Sequence, residues 1–110
     1  MKVIENTLLK VVHADTFRKR LMGLMFQKTP PQNIAFFLEP CKSIHMFFMK
    51  FELDILVLNE DYEVIALFKS LKPGQVSPYF SKARCFVEMS SGSIEAYGFE
   101  LGQKIVLVEG

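Results

Sequence analysis

The chain has 110 residues and carries 13 basic against 12 acidic side chains, which gives a formal net charge of +1. A chain of this length forms one domain that buries roughly two thirds of the surface exposed by the unfolded chain. We therefore expect a single domain over residues 1–110. The nearly balanced charge excludes a domain-wide positive field of the kind that phosphate contacts require, so nucleic acid is not an expected partner.

The sequence predicts a cytoplasmic protein without membrane insertion. The first 15 residues lack the apolar run and the small-residue cleavage site of a secretory signal. Lys50, Glu52 and Asp54 interrupt the longest apolar region, whereas a membrane helix needs about 20 nearly uncharged residues. Cys41 and Cys85 are far apart in the chain and form no CxxC pair, so we expect reduced thiols and no disulfide.

The apolar content is high: 50% of the residues are hydrophobic, with eleven Phe and six Met. These side chains must either fill a core or leave an exposed patch, and large exposed patches mark interfaces. A protein partner or a homodimer is therefore expected.

The N-terminal part contains two predicted elements. Residues 2–14, KVIENTLLKVVHA, alternate as a strand or as a hairpin with its turn at residues 5–7. Residues 16–22 predict a short helix, for which Asp15 or Thr16 is a suitable N-cap.

The stretch CKSIHMFFMKFELDILVL, residues 41–58, follows a strand that Pro40 ends. As an extended strand it places Ile44, Met46 and Phe48 on one face and His45, Phe47 and Met49 on the other. Both faces are largely apolar. The pattern therefore predicts a strand covered on both sides.

The C-terminal half predicts a hairpin with NEDY as its turn, then a strand in ARCFVEM and a last strand in KIVLVEG. Between these strands, SGSIEAYG predicts a one-turn helix capped by Ser93 and ended by Gly98. Six or seven short strands with one or two short helices predict a mainly β fold, a small antiparallel barrel-like sandwich.

A metal centre is not expected in the stretch from Cys41 to Met49. On a strand, Cys41 and His45 are about 13 Å apart, too far for one zinc ion. Met46 and Met49 suit copper(I), but Met46 would point away from His45. We expect core-filling methionines, a half-buried His45, no metal and no cofactor. Neither cysteine has the supporting base motif of a thiol catalyst.

Two carboxylates, Asp54 and Glu88, interrupt apolar strands and have two interpretations. If both faced one cavity, they could form a general acid and base pair in a small-ligand-binding or hydrolase-like site with Arg20. Alternatively, each accepts hydrogen bonds from loop amides or pairs with Arg20 or Arg84, because a buried charge requires a partner. For Asp54 we expect loop amides or Arg20 as donors.

Several segments together resemble one bacterial and archaeal family, the domain of unknown function 192. They are ADTFRKRLMGLMF, SIHMFFMKFELDIL, RCFVEMSSG and YGFELGQKIVL, in that order. The residues that match the family pattern are Thr16, Arg20, Gly23, Leu24, Met25, Met46, Leu53, Asp54, Glu88, Gly92, Gly98 and Gly102. The resemblance implies a compact, mainly β, barrel-like sandwich and implies no reaction.

The chain departs from the family pattern at a polar Lys-Asn-Thr group, where it has Phe47, Phe48 and Met49. His45 stands at a family Trp. We expect a non-enzymatic binding or interaction module with an apolar groove or surface. The candidate binding residues are Arg20, His45, Asp54 and Glu88, and the alternative is the ligand or hydrolase-like site described above.

Overall fold

The computed structural model describes residues 1–13 and 32–110. The predicted helix over residues 16–22 and the candidate residue Arg20 lie outside this part of the chain. The strands are β1 (Lys2–Ile4), β2 (Lys10–His13), β3 (Ile34–Leu38), β4 (Leu53–Leu58), β5 (Val64–Leu71), β6 (Cys85–Ser90) and β7 (Leu107–Glu109), and the short helix is α1 (Ser93–Tyr97).

All seven strands form one sheet in the order β5-β4-β6-β3-β2-β1-β7. The predicted mainly β fold is confirmed. Two details differ from an antiparallel barrel: β2 and β3 pair in parallel, and the sheet built by the described residues does not close on itself. A parallel pair needs a crossover connection, which strand patterning alone does not reveal.

Both predicted hairpins are confirmed, and side chains in their turns explain why they form. In the first turn, Asn6 has a φ of 67° and the Thr7 hydroxyl accepts a hydrogen bond from the Leu9 amide at 3.0 Å. In the second, the Asn59 side-chain oxygen accepts from the amides of Asp61 at 3.0 Å and Glu63 at 2.9 Å. Side chains that bind nearby backbone in this way favour turns over continued strands.

The predicted strand across residues 44–49 is wrong. His45 forms only an isolated bridge with Val76, and the chain turns at Phe48, which has a φ of 66°. Ile44, Met46 and Met49 are buried, whereas Phe47 and Phe48 are 44% and 76% exposed. The segment is therefore covered on one side only.

This segment crosses one face of the sheet because of strand direction. β3 and β4 both run antiparallel to β6, so the chain between them must return along the length of the sheet. The connection from β5 to β6 must return in the same way. We call these two connections, residues 41–52 and 72–84, the crossover layer.

The two halves of the crossover layer hold each other by backbone hydrogen bonds. The Met46 amide donates to the Gln75 carbonyl at 2.7 Å, and the Ser77 amide donates to the Ile44 carbonyl at 2.8 Å. Beneath the layer lies the layer-side core, which includes Met46, Met49, Ile55, Val57 and Phe86.

The opposite face of the sheet carries the helix-side core, which includes Leu9, Phe37, Leu56, Met89, Ile94 and Phe99. Helix α1 ends at Gly98 as predicted, with a left-handed φ of 67°. Its N-cap is Gly92 rather than the predicted Ser93. Glycine has no side chain that could accept hydrogen bonds from the helix amides. Ser93 is the first helical residue, and its hydroxyl donates to the Ser90 carbonyl at 2.7 Å.

Candidate functional site

Asp54 is buried in β4, 1% exposed, with its carboxylate directed to the helix side. One oxygen accepts a hydrogen bond from the Ser70 amide at 2.8 Å. The other accepts from the Gly92 amide at 3.0 Å and the Ile94 amide at 2.9 Å. The carboxylate therefore supplies from a neighbouring strand the cap that α1 lacks. The prediction that Asp54 accepts hydrogen bonds from loop amides is confirmed.

Glu88 lies on the adjacent strand β6 and is also buried, 4% exposed. The register pairs it with Ile55, whereas Asp54 pairs with Met89. Directly paired residues share a face and neighbours along a strand alternate, so Glu88 faces the layer side. The two carboxylates lie on opposite faces of the sheet. They do not share the cavity that an acid and base pair requires.

His45 is half-buried in the crossover layer, as predicted. Its Nδ1 accepts a hydrogen bond from the Phe47 amide at 3.3 Å, and its ring stacks on the Phe47 ring with centroids 4.6 Å apart. Among residues 1–13 and 32–110, no three His, Cys, Asp or Glu side chains come together in a way that could hold a metal ion.

Both cysteines are free thiols. Cys85 is fully buried, and this burial raises the pKa of its thiol, with the nearby Glu39 carboxylate acting in the same direction. The half-buried Cys41 donates from its sulfur to the Ser43 carbonyl at 3.2 Å. A thiol with a raised pKa is a poor nucleophile, so Cys85 has a structural role in the core.

Glu39 is the centre of a polar cluster that the sequence did not predict. Its carboxylate accepts a hydrogen bond from the Tyr62 hydroxyl and one from Arg84 Nε at 3.0 Å, and it lies 3.6 Å from His13 Nδ1. Burial, together with the bond to Glu39, raises the pKa of Tyr62. Arg84 also contacts Glu60 at 3.3 Å.

The members of this polar cluster come from the end of β2, the end of β3, the β4–β5 turn and the residue before β6. No local motif links these positions, so only the tertiary structure brings them together. Because both Glu39 oxygens are engaged by neighbouring side chains, the cluster ties four elements together at one end of the sheet.

The outer surface of the crossover layer carries four exposed apolar side chains. We call them the aromatic patch: Phe47 (44% exposed), Phe48 (76%), Val76 (58%) and Tyr79 (69%). The His45–Val76 bridge and the stacking of Phe47 on His45 bring the two halves of the patch together.

The charge of the crossover layer differs from that of the whole chain. Residues 41–52 and 72–84 contain five basic side chains and one acidic side chain, whereas the chain as a whole is nearly balanced. Lys50, Lys72 and Lys82 are exposed. The layer therefore carries exposed aromatic side chains and exposed lysines on the same two connections.

Phe48 is the most unusual residue of the aromatic patch. A φ of 66° is the left-handed region, which a bulky side chain rarely adopts and which costs about 1–3 kcal/mol. The side chain recovers little of this cost by burial, because it is 76% exposed. Phe48 is therefore a strained and exposed aromatic residue at a turn of the crossover layer.

The fold and these surfaces define a small, mainly β domain with one mixed sheet covered by a crossover layer. The family model of DUF192, described as an uncharacterized ACR, matches residues 2–107, and the chain belongs to this family. A UPF0127 protein of Pyrococcus furiosus is 35% identical over 102 residues, which cover 88% of this chain and 85% of that protein. A UPF0127 protein of Pyrococcus horikoshii is 35% identical over 97 residues, covering 84% and 82%.

Two crystal structures share the fold. A protein of unknown function from Novosphingobium aromaticivorans aligns with a TM-score of 0.78 at 18% identity, over 96% of this chain and 82% of that chain. A putative transcription regulator from Sinorhizobium meliloti aligns with a TM-score of 0.72 at 18% identity, over 91% and 81%. In the part of the chain that the structure describes, no helix is long and apolar enough to span a bilayer.

Proposed function

We propose that this protein is a non-enzymatic interaction module that binds another protein through the aromatic patch. The single observation that carries the proposal is Phe48, which is strained in its backbone and 76% exposed. Isolated exposed apolar residues are common, but these four exposed apolar side chains lie on two connections that are hydrogen-bonded to each other, and grouped apolar exposure of this kind marks interfaces.

The chemistry of the partner follows from the surroundings of the patch. Lys50 follows Phe48 by two positions, and Lys72 begins the turn whose Gly74 amide donates to the Met46 carbonyl at 2.8 Å. Interfaces combine an apolar centre with a polar rim, and complementary charge speeds the encounter of the partners. The partner is therefore a protein with an apolar pocket flanked by acidic side chains.

The same charges disfavour a second copy of the chain as the occupant. A two-fold dimer places each surface against itself, so the lysines near the patch would approach lysines of the other copy. Self-association through the patch would therefore be weak.

Site-specific cross-linking followed by reconstitution tests the proposal. A photoreactive phenylalanine analogue replaces Phe48 in the producing cells, and the matched control carries it at Leu101, which is 65% exposed and lies outside the crossover layer. The captured protein is then identified, purified and titrated with this protein at two salt concentrations. We expect capture at position 48 only and a complex that salt weakens.

Phe48→Asn provides the decisive comparison in the reconstituted complex. Asparagine tolerates a positive φ, so the fold is retained while the aromatic anchor is lost. Loss of a central anchor of about 2 kcal/mol weakens binding about thirtyfold. Capture of a second copy of this chain, of a nucleic acid or of lipid, or a complex unaffected by Phe48→Asn, would overturn the proposal.

A further inference from the structure

A groove of about 260 Å³ opens on the helix side of the sheet, away from the crossover layer. Its polar walls are formed by Gln32 and Asn33 before β3, Ser90 and Ser91 at the end of β6, and Ser93 and Tyr97 of α1. Leu9 lies in the wall as well. Three separate elements thus contribute hydroxyl and amide groups to one concave surface.

The lining of this groove carries no formal charge among the described residues. None of these described lining residues has a charged side chain that could compensate the charge of a desolvated anion or cation. Hydroxyl and amide side chains both donate and accept hydrogen bonds. They therefore complement a ligand that also does both.

The geometry points to a binding site for a small, uncharged, polyhydroxylated molecule such as a monosaccharide or polyol. Tyr97 lines the groove and would supply apolar surface for the carbon face of such a ligand, while serine and amide groups would bind its hydroxyls. The groove is smaller than the 300 to 1,000 Å³ or so that is typical of drug-sized ligands, so the expected ligand is small. This site is independent of the proposed protein interface.

The serine wall of the groove is held in place from below. The Asp54 carboxylate accepts from the amides of Gly92 and Ile94, and the Ser91 hydroxyl is hydrogen-bonded to the Ser70 hydroxyl. Ser70 is itself bound to Asp54 through its amide at 2.8 Å. Binding groups positioned in advance lose less entropy when a ligand binds. Asp54 acts as a positioning residue for the groove and does not contact the ligand.

Titration of ¹⁵N-labelled protein tests the site, with glucose, glycerol and inositol as neutral probes and inorganic phosphate and acetate as charged probes. We expect saturable shifts in the millimolar range with at least one neutral probe. These shifts should be confined to the amides of residues 32–33 and 90–97. Phosphate and acetate should not produce them.

Asn33→Gly is the informative variant because Asn33 has a φ of 58°, which glycine adopts without strain. It removes one side-chain amide from the groove and should weaken binding about three- to tenfold. Glu95→Gln, at an exposed position of α1 outside the lining, should bind as the wild type does. Shifts with phosphate alone, no saturable shift with any neutral probe, or equal binding by Asn33→Gly would each overturn the inference.

Discussion

The Asp54 carboxylate accepts a hydrogen bond from the Ile94 amide at 2.9 Å, so a strand side chain caps a helix that begins 39 residues later. The acceptor is 1% exposed, and the helix has no capping side chain of its own. Burial of the charge is tolerated because three backbone amides surround it.

Asp54→Asn should lower the free energy of unfolding by about 1.5–3 kcal/mol, because hydrogen bonds to a charged group are worth about that much. The new amide nitrogen would also face backbone donors. Urea denaturation measures the change. Asp61→Asn, the same substitution at an exposed turn position, should change stability by less than about 0.5 kcal/mol. An unchanged or higher midpoint for Asp54→Asn would instead favour a strained functional carboxylate.

Tyr62 should make stability fall as the solution becomes alkaline. Its pKa is raised in the folded protein, mainly by burial and then by the bond to Glu39. The folded state therefore keeps the proton above pH 10, where the unfolded state releases it, so the contribution of Tyr62 is complete below about pH 10 and is lost above it.

The comparison of Tyr62→Phe with the wild type isolates this effect. Thermal unfolding between neutral pH and about pH 11 should show a shallower alkaline decline for Tyr62→Phe. Tyr79→Phe, at a position 69% exposed, should follow the wild-type profile. The buried Cys85 also has a raised pKa and is present in all three proteins, so an alkaline decline remains in Tyr62→Phe. Parallel profiles for Tyr62→Phe and wild type would contradict the assignment.

Met46→Ala and Phe48→Ala should differ strongly although the two residues are two positions apart. Met46 is 1% exposed in the layer-side core, so its truncation should cost about 2–5 kcal/mol. Phe48 is 76% exposed, and truncation there should cost under about 0.5 kcal/mol. Urea denaturation of both variants tests the one-sided packing of the crossover layer. Equal losses in the free energy of unfolding would instead support a strand that is covered on both sides.

Cys41 should react with iodoacetamide well before Cys85 in the folded protein. Cys41 is half-buried, whereas Cys85 is fully buried and has a raised pKa. The thiolate is the reactive form, so both burial and the pKa slow Cys85. Mass spectrometry of partly modified protein locates the adduct, and in strong urea both thiols should react at similar rates. Early modification of Cys85 without unfolding would contradict its placement in the core.

Features that depend on neighbouring residues were predicted correctly, whereas features that depend on residues distant in the chain were not. The hairpin turns at Asn6 and Asn59 and the helix end at Gly98 were predictable, because local backbone conformation and nearby hydrogen bonds determine them. Asp54 was predictable as a hydrogen-bond acceptor because a carboxylate in an apolar strand must have donors. The sequence could not predict which groups donate, because Gly92 and Ile94 are far from Asp54 in the chain.

Apolar periodicity and turn chemistry were sufficient for a mainly β domain, because each strand shows its buried positions within a few residues. They were insufficient to predict the structure of the segment around Phe48. A strand within a sheet and a connection that packs over a sheet bury similar side chains, so their apolar patterns look alike. Strand direction decided between them: with β3 and β4 running the same way, the chain had to cross the sheet. The same long-range strand pairing places Asp54 and Glu88 on opposite faces of the sheet. It also brings the side chains that contact Glu39 together, because register and topology depend on residues that are distant in sequence.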